Sequence, residues 1–435
     1  MDVFMIGNGL DLHYCLPTTY TSFLRTVENI SKRISAGESI TSVAQVFKNE
    51  ELHNSDWALK NCFNRYESKY DAALEQTELQ RAFGTAFDNM WFSYLLHSFG
   101  TGKSWIDFER EINQVIQIIA LSLENTLEEE NEHNPSVNDI YVCVYEDDRR
   151  TNHVLSCFPC FYEGSSLDGI YNKRPAIMYL VQRKYLTENP FGSGAYSVNK
   201  LAIATELYKS LRELADMLSA YLFLFVDNPV KNLVANKTIT LDPMLANWQW
   251  KETQIISFNY THTLKMLYPA SINAFHYIHG ELGEMSTSSI ILGVNSSDED
   301  EIGHTDTTFV QFKKYYQRVF YQTDLSYINL LVSCEDRFGD IMPFDLYVIG
   351  HSLDETDREV ICDCFSRAEK INIFYHSEKE VSDKIRNLVS IFGKHEFDIL
   401  RMKKNLRFYP IEKLSEKNPF PKETLEMLPA YVIKP

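Results

Sequence analysis

The chain has 435 residues, 44% of them hydrophobic and 23% charged, and a formal net charge of −18 at pH 7. This is ordinary globular composition with enough chain for more than one core. The negative balance disfavours broad electrostatic capture of DNA, RNA or anionic membrane, so direct nucleic-acid binding is not expected.

Residues 1–6 read MDVFMI, an apolar run that predicts a strand. It breaks at Gly7-Asn8-Gly9-Leu10-Asp11, with Leu16-Pro17-Thr18 close behind. A strand that stops at two glycines and leads toward a helix suits nucleotide binding. Glycine lets the backbone approach a pyrophosphate, and a helix start offers N–H groups and a positive dipole end. Leu12 stands where a dinucleotide fingerprint carries its third glycine, which weakens the match. No basic leader precedes the first apolar run, and residues 217–226, the greasiest stretch, are too short to span a bilayer. A cytoplasmic protein without a membrane partner is expected.

Residues 18–34 have helical spacing, with Phe23, Leu24, Val27 and Ile30 on one face. Residues 55–132 read as helical throughout. Within them Phe87, Met90, Trp91, Phe92, Leu95 and Leu96 are too apolar to stand exposed. Some of them are expected to pack inside a helical module or at a subunit interface, so self-association through that module is one expectation. Ser104 and Asp107 are capping candidates where Trp105 opens a further helix. Residues 134–194 carry turn signals and no clear period, and 198–226 are helical again. Cys157-Phe-Pro-Cys160 has metal-ligand spacing, but no second pair completes it and no metal is expected. The eight cysteines are sparse, as in a reducing compartment.

Strand character returns at 254–258, 274–278, 290–292, 346–349 and 371–375, with helices over 356–368 and 379–392. Short apolar strands alternating with helices predict a parallel sheet buried on both faces. The expected architecture is α/β: a Rossmann-like parallel sheet from residues 1–34 and 251–435, interrupted by a mainly helical module over 35–250.

Four strand ends offer small polar chemistry: Gly7 to Asp11, Asn259 to Thr263, His279-Gly280, and Gly350-His351-Ser352-Leu353. In a parallel sheet they converge at the carboxyl edge, where ligands bind. Each has a plain alternative. Asn259 reads equally as a helix cap, His279 as a buried hydrogen-bonded histidine, Asp11 as a partner for loop N–H groups, and Ser352 with Asp354 as caps ahead of Asp357. Trp105 and Glu109, four apart on one helix face, read either as a packed helix start or as an aromatic wall with a carboxylate closing over a ligand.

Together these segments resemble the AbiH family of bacteriophage abortive-infection proteins. The glycine-loop motif is matched by residues 7–20, a tryptophan-acid motif by Trp105-Ile-Asp107-Phe-Glu109, and FNYT by Phe258-Asn-Tyr-Thr261. IHG is matched by Ile278-His-Gly280, ILG by Ile291-Leu-Gly293, and GHSLxxxD by Gly350 to Asp357. Cys15 replaces the family's glycine before Leu-Pro, so if that glycine needs a positive φ the loop here must differ. The skeleton is similar, more distantly, to sirtuin-like proteins, whose glycine loop, Asn, His-Gly and Gly-x-Ser-Leu recur in this order. Asp11 and Thr261 stand where sirtuins carry serine and aspartate, and only Cys334 lies where their zinc ribbon would be.

The resemblance implies an antiphage effector that binds NAD or a related nucleotide, as substrate or ligand, and hydrolyses it at the N-glycosidic bond. Asn259, His279 and Asp11 would be catalytic. Gly7, Asn8, Gly9, Thr18, Gly280, Gly350, Ser352, Asp357, Trp105 and Glu109 would contact the nucleotide. A phage or host protein would act as trigger. Two other readings stay open: a non-catalytic nucleotide sensor or scaffold engaging such a protein, and a metal-dependent nuclease using Asp11, Asp107, Glu109 and Asp357.

Overall fold

The structure, a computed structural model, describes residues 2–98, 105–130, 138–171, 174–188, 196–268, 275–283, 289–294, 307–323, 327, 344–403 and 405–416. Its strands are β1 (Asp2–Ile6), β2 (Leu127–Glu130), β3 (Asn138–Tyr145), β4 (Phe161–Tyr171), β5 (Arg174–Val181), β6 (Leu186–Glu188), β7 (Tyr196–Val198), β8 (Thr253–Ser257), β9 (Phe275–Tyr277), β10 (Phe344–Ile349), β11 (Ala368–Tyr375) and β12 (Arg407–Pro410). The chain forms two compact units. The first holds Met1–Leu16, Asp227–Ile278 and Thr323–Pro435; the second holds Pro17–Val226 and His279–Gln322.

The first unit is built on a six-stranded sheet in the order β12-β11-β10-β1-β8-β9, parallel at every pairing. β1 lies between β8 and β10, with Ile6 opposite both Ser257 and Ile349. It can do so because its side chains suit burial on both faces. Val3 and Met5 join a core with Ile256, Leu346 and Val348. Phe4, on the opposite face, meets the rings of Trp248 and Tyr347 at 5.0 Å each. From β1 the order runs outward through β8 and β9 on one side and through β10, β11 and β12 on the other. The direction of winding therefore reverses between β1 and β10, and a crevice at the carboxyl ends of the strands is expected there.

The second unit is mixed rather than mainly helical. Beside helices such as Tyr20–Ser35, Trp105–Glu124 and Lys200–Leu222 it holds an antiparallel sheet, β2-β3-β5-β4, and the pair β6-β7. Residues 127–130, expected to be helical, form an edge strand instead. Helix Tyr20–Ser35, expected to accompany the sheet of the first unit, is grouped with the second, where Thr19 Oγ1 caps it by accepting from Ser22 N at 3.0 Å. Trp91, Phe92, Leu95 and Leu96 are buried within this chain, whereas Phe87 is 41% exposed. Residues 290–292 enter no sheet; one bridge, Val294 to Lys313, follows them. No helix among the described residues is long and apolar enough to cross a membrane.

Candidate functional site

The loops after β1 and β10 interlock through glycine. Gly7 N donates to Ile349 O at 2.9 Å, Gly9 N to Gly350 O at 2.8 Å, and Leu10 N to Gly7 O at 3.0 Å. A Cβ on Gly7 would lie 2.6 Å from Gly350 O, and one on Gly9 would lie 2.7 Å from Gly350 Cα. Gly350, at φ +70°, would place a Cβ 2.2 Å from Leu10 N. No side chain fits between two backbones at that distance. The glycines thus serve loop-to-loop contact, and the N–H groups of Gly7 and Gly9, expected to cradle phosphate, are already committed to carbonyls. Asn8 precedes the short helix Gly9–His13 and makes no side-chain cap. Cys15 adopts φ 56° itself, so the loop keeps the left-handed turn that the family's glycine suggests, contrary to the expectation that it must differ.

Asp11 follows the glycines and is 1% exposed. Its Oδ2 accepts from Thr261 Oγ1 at 2.6 Å, and its Oδ1 has no hydrogen-bond partner among the described residues. Burial raises its pKa from 3.8 to about 7; the Thr261 and Thr263 hydroxyls oppose the shift, and the charge of Asp227 adds to it. Asn259, after β8, is also buried. Its backbone is fixed by Ser257, whose Oγ accepts from Asn259 N and donates to Asn259 O, both at 3.2 Å. Its side-chain Oδ1 likewise has no partner among the described residues. Asn259 does not begin the next helix, Thr263–Leu267, whose N-cap is His262.

One residue absent from the sequence expectations completes this loop. Asp227, 1% exposed, ends a π-helical turn, Phe223–Asp227. Its Oδ1 accepts from His262 N at 3.2 Å, and its Oδ2 lies 2.6 Å from His262 Nδ1. A carboxylate only accepts, so Nδ1 carries the proton in this pair. The available signal was a lone acid closing an apolar helical run, directly before Asn228-Pro229.

The turn after β10 is locked from within. His351 Nδ1 accepts from Leu353 N at 3.0 Å, which leaves the ring hydrogen of the neutral form on Nε2, 3.4 Å from Asp357 Oδ2. Asp357 therefore addresses His351. Lys384, 1% exposed, donates to His351 O and pairs with Glu380 at 3.1 Å. Burial pulls its pKa below the usual lysine range. Ser352 is half-buried, and its carbonyl accepts from Asn387 Nδ2 at 3.2 Å. Nearby, Asp242 N donates to Tyr268 OH at 2.9 Å, the hydroxyls of Tyr268 and Tyr14 lie 2.5 Å apart, and Tyr14 OH donates back to Asp242. This closed ring pins the end of helix Gly9–His13.

The remaining expected site residues belong to the second unit. Thr18 is 1% exposed. His279 is buried, and its carbonyl accepts from Ile291 N at 2.8 Å. Gly280 sits at φ +85°, where a Cβ would strike Ser289 O at 2.0 Å, so only glycine fits. Glu109 is buried and pairs with Lys314 Nζ at 2.8 Å. The Trp105 side chain and the Ser104 cap lie outside the described residues, as does Cys334. Among the described residues no three His, Cys, Asp or Glu side chains are grouped to hold a metal ion.

The described loops bring Asp11, Thr261, Asn259 and the Gly350 turn to the carboxyl ends of β1, β8 and β10, as parallel pairing requires. No curated protein matches the chain, and no solved structure does. The family model described as bacteriophage abortive infection AbiH matches residues 3–376, from β1 to the residue after β11. The chain belongs to the AbiH family, and its role is in abortive-infection defence against phage.

Proposed function

We propose that the first unit binds a nucleotide of the NAD class at the ends of β1, β8 and β10, and that the protein hydrolyses its nicotinamide–ribose bond. The strand order supports a Rossmann-like reading: counted along the chain it is 3-2-1-4-5-6, the order of doubly wound dinucleotide-binding sheets. The observation that carries the proposal is the pair of buried acceptors, Asp11 Oδ1 and Asn259 Oδ1, on neighbouring strand ends. A buried polar atom left unpaired costs about 1–3 kcal/mol. A ligand with vicinal ribose hydroxyls supplies the missing donors.

The chemistry asks for little beyond those groups. The C1′–N bond breaks with its electron pair going to the nicotinamide nitrogen, which leaves neutral. The ribose passes through an oxocarbenium-like transition state, and a water oxygen bonds to C1′. The ionised Asp11 carboxyl steadies the developing positive charge, Asn259 orients ribose or water, and the proton of water passes to solvent. Loss of NAD then stops the infected cell. Purified protein incubated with NAD should release nicotinamide, and the Asn259→Ala variant should be slower by roughly 100-fold or more. Equal turnover by the two proteins overturns the reading. Binding of NAD or ADP-ribose without consumption supports a sensor instead.

A further inference from the structure

The helix Lys314–Tyr321 is inverted relative to an ordinary amphipathic helix. It buries Lys314, Gln317 and Arg318 and exposes Tyr315, Tyr316, Val319 and Phe320. Apolar burial of these side chains cannot be what seats it, so the polar contacts of its inner face must. Gln317, 0% exposed, meets both backbone groups of Leu292: Oε1 accepts from Leu292 N at 3.1 Å and Nε2 donates to Leu292 O at 2.9 Å. A carboxamide that satisfies the N–H and the C=O of one residue does the work of an adjacent strand.

The segment it clamps is held along its length. Arg212 donates to Ile290 O at 2.5 Å, Val294 N donates to Phe312 O and Lys314 N to Val294 O, both at 2.8 Å. A Cβ on Gly293 would lie 2.9 Å from Gln317 Nε2. One residue before Leu292, Ile291 N makes the 2.8 Å hydrogen bond to His279 O. One turn before Gln317, Lys314 pairs with Glu109. Three of the motifs noted in the sequence, around residues 107, 279 and 292, thus share one helix that carries no noted motif.

We propose that Gln317 is a positioning residue for His279: by fixing the register of 290–294 it fixes the Ile291–His279 hydrogen bond and with it the His279–Gly280 turn. The importance of this for catalysis rests on the catalytic role that the family resemblance implies for His279; the positioning itself does not. The test uses the full chain with ring-labelled histidine, the His279 signal being identified by its loss in His279→Gln. Gln317→Glu keeps the acceptor and removes the donor to Leu292 O; Arg212→Gln loosens the same segment from its other side, should the first variant fail to fold. In either variant the Leu292 amide should exchange at least tenfold faster. The His279 ring signals should shift and change their titration midpoint, while those of His351 hold. Faster Leu292 exchange with unmoved His279 signals overturns the proposal, and so does unchanged exchange in both variants. These readouts need no nucleotide. A wild type that ignores NAD therefore sinks the proposed function and leaves this inference standing.

Discussion

Asp11, the buried carboxyl after the glycine loop, gives the stability of the fold a pH dependence. Its pKa stands near 7 in the folded chain against 3.8 unfolded, so the folded state favours its protonated form. Stability from this group is complete below about pH 4 and is lost as pH rises toward about 7, where the unfolded carboxyl has long been ionised. A shift of about three units corresponds to roughly 4 kcal/mol at neutral pH. Asp11→Asn keeps an acceptor for Thr261 and removes the ionisation. It should melt higher than wild type at pH 8, with the gap narrowing by pH 5 and closing only near pH 4; melts taken across that range decide it, and a constant gap refutes it. If turnover needs the carboxylate, wild-type activity rises through pH 7. At this scale the sequence marked Asp11 and Asn259 because both follow strands at glycine or amide turns. It did not mark Asp227 or Lys384, which reach the same loops from distant helical segments and whose roles depend on their partners, His262 and His351.

Among elements, the paired loops after β1 and β10 are the most constrained. Gly350→Ala must push a methyl group into the Gly9–Leu10 backbone at a positive φ, and should cost several kcal/mol. Gly37 has a similar φ, +75°, with nothing within 4 Å of its missing Cβ, so Gly37→Ala should cost only about 1 kcal/mol. Chemical denaturation of the two variants separates a packing role for Gly350 from a purely conformational one; equal losses would remove the interlock. The parallel strands were legible because β1, β8 and β10 are short apolar runs ending at turn residues. The antiparallel sheet was not. β3 does alternate, with Ile140, Val142 and Val144 buried, but β4, on the far side of β5, reads Phe-Tyr-Glu-Gly-Ser-Ser-Leu-Asp-Gly-Ile-Tyr. Glycine and serine there signal turns; pairing with β5, through shifts in register, overrides them.

Over the whole molecule the chain passes between its two units four times, at residues 16/17, 226/227, 278/279 and 322/323. The sequence showed an interrupted α/β chain but not the later return of 279–322, because no change in composition marks it. A fragment of 35–250 lacks both helix Tyr20–Ser35, which buries Tyr20, Phe23 and Val27, and the return segment with its Gln317 clamp. Expressed alone it should fail to give a cooperative melt; a sharp two-state transition would show that the module is autonomous. The place of β1 in the sheet has one more consequence, in time. Its first six residues leave the ribosome long before β8, and longer still before β10, the two strands that must flank it. At about 5–20 residues per second the delay to β10 is roughly 20–70 s. Asp11, Asn259 and the Gly350 turn cannot meet until most of the message has been read. A ribosome stalled anywhere earlier releases a chain in which β1 has at most one of its two flanking strands, so no unfinished copy carries the three loops together.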